Sequence, residues 1–236
     1  MNRRFFLSSI GQLAIVLLPA ASFAAETRFY PPAKDELFPI NYGDMQKVKR
    51  RFTRKEVDYA TTEAPGSVVV DPGKKYLYFI LEASRAIRYG IGVGREGFEW
   101  SGDATIRRKA KWPRWTPPKD MVARDPLAAK WADGMPGGPD NPLGARALYL
   151  YQGEVDTLYR IHGTNQPETI GKAVSSGCIR LINADVADLY ERVKIGDKVV
   201  VLPTQSPETP SAKSVQEKHQ NPEQPQKKRR YLFDFL

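Results

Sequence analysis

Residues 67–203 carry their apolar side chains in short runs closed by turn-forming residues, a spacing that restricts the chain to a mostly-β fold. Val68-Val69-Val70 stops at Asp71-Pro72-Gly73-Lys74, and Tyr76-Leu77-Tyr78-Phe79-Ile80-Leu81 follows, the pattern of a hairpin. Further strands are predicted at residues 88–93, 147–151, 157–161 and 198–202. One helix is well signalled. Asn183 reads as its N-cap, Asp185 suits its positive end, and Val186, Leu189, Tyr190 and Val193 recur at helical spacing before Gly196 stops it. The expected architecture is a β-sandwich or barrel-like domain with one or two short helices.

The flanks have a different texture. Residues 1–24 read as a signal peptide: Arg3-Arg4 open it, an apolar segment follows, and Ser22-Phe23-Ala24 supplies small residues before a cut. The paired arginines admit the twin-arginine route. The apolar stretch is short for a membrane span, so no stable transmembrane segment is expected after cleavage. Residues 25–66 read as an irregular, charged extension, and residues 204–236, rich in Pro, Gln, Glu, Ser and Lys, as a disordered basic tail. Residues 100–142 read as a long loop whose basic and aromatic members, Trp112 among them, suit a cover over a sugar-peptide substrate.

The formal charge of +9 raises the question of nucleic acid. Export argues against that partner, and the sequence has no zinc-ligand cluster or RNA-binding signature. Anionic envelope polymers match the charge better, although a basic surface also serves solubility.

Cys178 is the only cysteine, so packing rather than an internal disulfide must hold the chain together. An unpaired thiol in an exported protein is a liability unless it is used. His162 lies sixteen positions upstream, and the one other histidine, His219, falls in the tail. The pair fits a thiol nucleophile with an imidazole that takes its proton and returns one to a leaving amine. Ser176-Gly177-Cys178 can present backbone amides to an oxyanion, because glycine permits unusual φ/ψ and close approach. Gly163 beside His162 leaves a carbonyl free to hold the imidazole tautomer. Arg180, two residues beyond the thiol, points to the same face of an extended segment. There it can grip a substrate carboxylate, or else brace the loop against Asp185 or a backbone carbonyl.

The strings Ile161-His162-Gly163-Thr164-Asn165-Gln166-Pro167, Ile170-Gly171, Ser175 and Gly177-Cys178-Ile179-Arg180-Leu181 resemble the L,D-transpeptidase (YkuD-type) catalytic domain. The resemblance covers residues 67–203. It implies a cysteine acyl-enzyme formed on a peptidoglycan stem peptide and resolved by an amine, which cross-links stems or attaches an envelope protein. It makes Cys178 the nucleophile, His162 the general acid/base and Gly163 the donor of the orienting carbonyl. The amides of Gly177 and Cys178 become the oxyanion hole, and Arg180, Asn165, Ser176 and Trp112 the substrate contacts. No metal or other cofactor is implied, and the expected location is the bacterial periplasm or cell envelope. One departure is Ser176, where many members have histidine; another is Ser101-Gly102-Asp103-Ala104 at the entrance. A sortase-like enzyme separates its histidine and cysteine more widely, and a papain-like fold reverses their order. The non-enzymatic alternative is a peptidoglycan-binding module that keeps the fold with weak or no catalysis.

Overall fold

A computed structural model describes residues 36–82, 84–95, 100–175 and 177–204. The predicted signal peptide, the tail beyond residue 204, His219 and Ser176 lie outside the described residues.

Strand β1 (Lys55–Asp58) precedes the predicted hairpin of β2 (Val68–Asp71) and β3 (Tyr76–Ile80). Between them the Asp71 side chain accepts from the Lys74 amide at 2.9 Å, the local bond that makes this aspartate a turn former. The run expected at residues 88–93 divides into β4 (Arg85–Gly90) and β5 (Val93–Gly94). The break falls where the backbone turns from one pairing to another: Ile91 N bonds Lys75 O, and Gly92 pairs with Arg180.

The expected long loop instead contains regular elements. β6 (Gly102–Lys111) is a ten-residue strand, and α1 (Lys119–Val122) and α2 (Pro126–Lys130) follow it. Only a few apolar residues of β6 face the core, Ala104 and Ile106 among them. Its cations lie along aromatic faces instead, Arg108 over Tyr149 at 4.5 Å and Lys109 over Tyr190 at 4.2 Å. A charged strand of this kind has no period-2 apolar signal.

β7 (Arg146–Gln152), β8 (Val155–His162), β9 (Ala173–Ser175), β10 (Ile179–Arg180), α3 (Asn183–Arg192) and β11 (Lys198–Val201) complete the described elements. Nine strands form one sheet in the order β1-β4-β3-β2-β11-β6-β7-β8-β10, and β5 pairs with β9. Most neighbours are antiparallel, but β11 runs parallel to β2, and β10 parallel to β8. Gly92, just past β4, exchanges two backbone bonds with Arg180 of β10, at 2.9 and 2.8 Å. The chain leaving one end of the sheet thereby meets its other edge strand. This is barrel-like closure.

The enclosed core takes residues from both halves of the sheet, including Val68, Leu77, Tyr89, Ile106, Leu148, Leu150, Ile161 and Val199, and is sealed by Val186 and Leu189 of α3 and by Val193 just past its end. The opposite side of α3 packs Ala184 and Ala187 against Phe52, Ile40, Trp112 and Ala145. Residues 36–66 are short of regular structure, as their composition predicts, yet they are joined to the sheet and helix. β1 pairs with β4, and Arg54 is buried on α3, with Nη1 at 2.8 Å from Asp188 Oδ2. Glu36 meets the fully buried Arg146 in an ion pair and accepts from Trp112 Nε1 at 2.9 Å.

Candidate active site

His162 is the last residue of β8 and is buried. Its Nδ1 lies 2.6 Å from the Gly163 carbonyl oxygen. A carbonyl can only accept, so Nδ1 carries the hydrogen and Nε2 is the ring's acceptor. The Leu143 carbonyl also favours the charged form of the ring. Burial, reinforced by the charge of nearby Arg180, pushes the His162 pKa down to about 4 despite both carbonyls. The imidazole is therefore neutral at neutral pH.

The parallel β8–β10 pair sets the geometry around it. Arg180 is in register with His162, and Ile179 with Ile161. Leu181 N donates to His162 O at 2.8 Å. Ile161 and Ile179 face the core, so His162 and Arg180 share the other face. Cys178, two residues before Arg180, is a partly exposed free thiol. Burial raises its pKa, while the backbone N–H and charge of Arg160 and the charge of Arg180 pull it down. The segment before it is braced by the Ser175 hydroxyl, which donates to the Cys178 carbonyl at 2.7 Å. Gly177 has φ 115°, a conformation that favours glycine, so the turn reaching the thiol depends on that residue.

Beside this turn lies an open cleft, with Gly177, Ile179, Val93, Trp100, Tyr159 and Lys75 among its lining residues. Trp100 and Tyr159 stack at 5.4 Å. Tyr159 feels the charge of Cys178, which together with burial raises its hydroxyl pKa. Arg160 is held by Asp156 through two bonds of 2.7 and 2.8 Å.

This arrangement coincides with a known catalytic domain: the family model for the L,D-transpeptidase catalytic domain (YkuD) matches residues 65–201. The chain belongs to the L,D-transpeptidase family. It is 37% identical over 142 residues to the protein named Probable L,D-transpeptidase YbiS of Escherichia coli K12, covering 56% of this chain and 43% of that protein. Over 139 residues it is 35% identical to Probable L,D-transpeptidase ErfK/SrfK of the same organism, covering 57% and 43%. The chain thus spans under half the length of these curated relatives. A solved Brucella melitensis structure, named a probable carnitine operon oxidoreductase caia, is 51% identical, with a TM-score of 0.46, and covers 66% of this chain and 96% of that one. That name belongs to the Brucella protein.

Within the L,D-transpeptidase domain, His162, Gly163, Gly177, Cys178 and Arg180 gather around the β8–β10 pair. Asp185, the residue offered as an alternative brace for Arg180, instead faces Arg54 at 3.9 Å. Trp112 lies elsewhere. It is buried, has φ 44°, packs edge-on to Phe38 at 5.2 Å and donates to Glu36, so it belongs to the packing beneath the site and not to the cleft wall. Asn165 Nδ2 donates to the Asp140 carbonyl at 2.8 Å, tying together the two loops beside His162. Ser176 is outside the described residues. Sequence reasoning missed Leu143, Tyr159 and Arg160. The last two sit on the same strand as His162, in a run scored there only as strand-forming.

Among the described residues, no group of three or more His, Cys, Asp or Glu is placed to hold a metal ion. No helix among them is long and apolar enough to cross a membrane.

Proposed function

We propose that the protein is an exported cysteine L,D-transpeptidase that acts on peptidoglycan stem peptides through an acyl-enzyme on Cys178. One observation carries this reading. The β8–β10 register sets Arg180 beside His162, two residues beyond the thiol, while Gly163 engages Nδ1 and leaves Nε2 to accept a proton.

His162 Nε2 takes the thiol proton as the sulfur attacks the carbonyl carbon of the donor stem. The oxyanion accepts hydrogen bonds from the backbone amides of Gly177 and Cys178. The C–N bond then breaks, the imidazolium proton passes to the departing amine, and a thioester remains. An acceptor amine attacks the thioester carbonyl and loses its proton through His162. The C–S bond breaks, and Cys178 leaves as the thiol. Arg180 holds a carboxylate of the donor stem. A stem amine as acceptor gives a cross-link, and a lysine of an envelope protein gives attachment to the wall. Residues 1–24 direct export to the periplasm or envelope, and the basic surface favours the anionic wall.

A carbapenem tests the chemistry, because its strained carbonyl acylates an activated cysteine directly. Intact-mass measurement should find one covalent adduct on the wild type and none on Cys178→Ala or after blocking with iodoacetamide. A wild type that binds wall fragments but takes no adduct would identify it as the binding module. Mass spectrometry of wall fragments from a deletion strain then names the acceptor by the linkage that disappears.

A further inference from the structure

The Gly163 carbonyl that holds His162 Nδ1 lies just after β8, and the Leu143 carbonyl, which favours the charged ring, lies in the turn before β7. Their separation has to be set by something that touches both stretches, and Asn183 does so. It is the first residue of α3 and is buried. The sequence casts it as the helix N-cap, but Ile182 occupies that position, and the Asn183 amide turns the other way. Its Oδ1 accepts from the Ala145 amide at 2.8 Å.

The packing around this oxygen is tight enough to dictate its neighbours. A Cβ placed on Gly163 would lie 2.3 Å from Asn183 Oδ1 and 3.0 Å from Ala145 N. One placed on Gly144, which has φ 61°, would lie 2.2 Å from the same oxygen and 2.6 Å from Thr164 N. Both positions therefore require glycine, and the same side chain imposes that requirement on each. The 143–145 turn, the 163–164 segment and the start of α3 converge on one amide oxygen. The turn is fixed from its other end by Asn141, whose Oδ1 accepts from Leu143 N at 2.9 Å and whose Nδ2 donates to Pro136 O at 2.8 Å.

We infer that Asn183 is a positioning residue for His162: by clamping the Gly144–Ala145 turn against Gly163, it sets the Gly163 carbonyl that fixes the imidazole's orientation and tautomer. This rests on the proposed role of His162. The inference goes beyond that role in assigning the orientation to a side chain on α3, five residues past the nucleophile. Asn183 touches no substrate and acts only through the backbone of the two stretches it holds.

The test pairs a magnetic-resonance readout with acylation. In ¹⁵N-labelled wild type, the His162 ring should show a single Nδ1–H tautomer. Asn183→Ala, which removes the acceptor, should show mixed tautomers and carbapenem acylation slower by roughly 10²-fold per folded molecule, the scale of a displaced catalytic group. Asn183→Asp keeps an oxygen for Ala145 N and should recover the wild-type tautomer and most of the rate. If Asn183→Ala fails to fold, Asn183→Ser, which withdraws the acceptor by one bond, takes its place. An Asn183→Ala protein with wild-type tautomer and rate would overturn the inference, and so would equal losses in the Ala and Asp variants. A tautomer change in a protein that no carbapenem acylates would uphold the positioning role and reject the transpeptidase reading instead.

Discussion

Arg180 stands beside His162 across the parallel β8–β10 pair, and among the described residues it makes no ion pair. Its Nε is buried without a hydrogen-bond partner there. Burial lowers its own pKa, against the opposing pull of Cys178, and its charge lowers that of His162 in turn. A desolvated guanidinium with unmet donors is costly unless something supplies an acceptor. A carboxylate of the substrate would do so, and it would arrive next to the thiol.

Arg180→Gln should therefore reduce acylation by roughly 10–100-fold, the worth of hydrogen bonds to a charged group. It should also raise the His162 pKa from about 4, since a nearby positive charge is removed. Arg180→Lys keeps the charge but loses the planar fork, so the His162 titration should stay near wild type while acylation falls. Titration by NMR, set beside the acylation rates, separates the two effects. A lowered melting temperature with unchanged rate per folded molecule in both variants would make Arg180 purely structural.

Cys178 and His162 rest as a neutral pair, because burial raises the thiol and lowers the imidazole. Iodoacetamide, which needs preformed thiolate, should react slowly at pH 7 and faster as the pH rises through the thiol's elevated pKa. Acylation in the active site should persist at pH 7, since there His162 removes the proton during attack. His162→Ala should cost roughly 10²–10⁴ in that step and leave the alkylation profile nearly unchanged. An alkylation midpoint below pH 7 would instead establish a preformed thiolate–imidazolium pair.

The sequence exposes those parts of the molecule whose pattern is local. The hairpin through Asp71, the strand ending at His162 and the apolar stripe of α3 each lie in a few consecutive residues, and so do the two motifs that hold His162 and Cys178. β6 escapes because its partners are distant in the chain and its cations cover tyrosines rather than alternating with apolar residues. Residues 36–66 read as part of an irregular, charged extension for a related reason. Two of their charges are paired out of solvent with charges supplied by other elements, Glu36 by β7 and Arg54 by α3, and composition does not reveal such pairing. Trp112 and Asn183 look like a lid aromatic and a helix cap by position alone, and only the folded backbone gives them other partners.

Glu36 offers a direct test of how far the leading segment belongs to the catalytic domain. Arg146 is fully buried, and Glu36 is the acid it pairs with. Glu36→Ala should destabilise the protein by roughly 3–5 kcal/mol, the cost of stranding one member of a buried pair. Chemical denaturation measures it. A change below ~1 kcal/mol would show that the segment is dispensable for stability.

Two buried groups shape the pH dependence of stability in opposite directions. The His162 pKa falls from 6.5 to about 4 on folding. Between those values the unfolded chain binds the proton and the native state does not, so this group lowers stability as the pH falls. Burial of Asp185 raises its pKa from 3.8 to about 7, against the opposing pull of Arg54. Between those values the native state holds the proton, so this group lowers stability as the pH rises. The windows overlap, and in the wild type the two slopes largely offset each other. Asp185→Asn removes one of them. The melting temperature of Asp185→Asn relative to wild type should climb by on the order of 10 °C between pH 4 and pH 7. The His162→Ala difference should run the other way, growing as the pH drops from about 6.5 to 4. Calorimetry of the three proteins across this range decides the matter, and parallel curves for Asp185→Asn and wild type would rule out a protonated Asp185 in the native state.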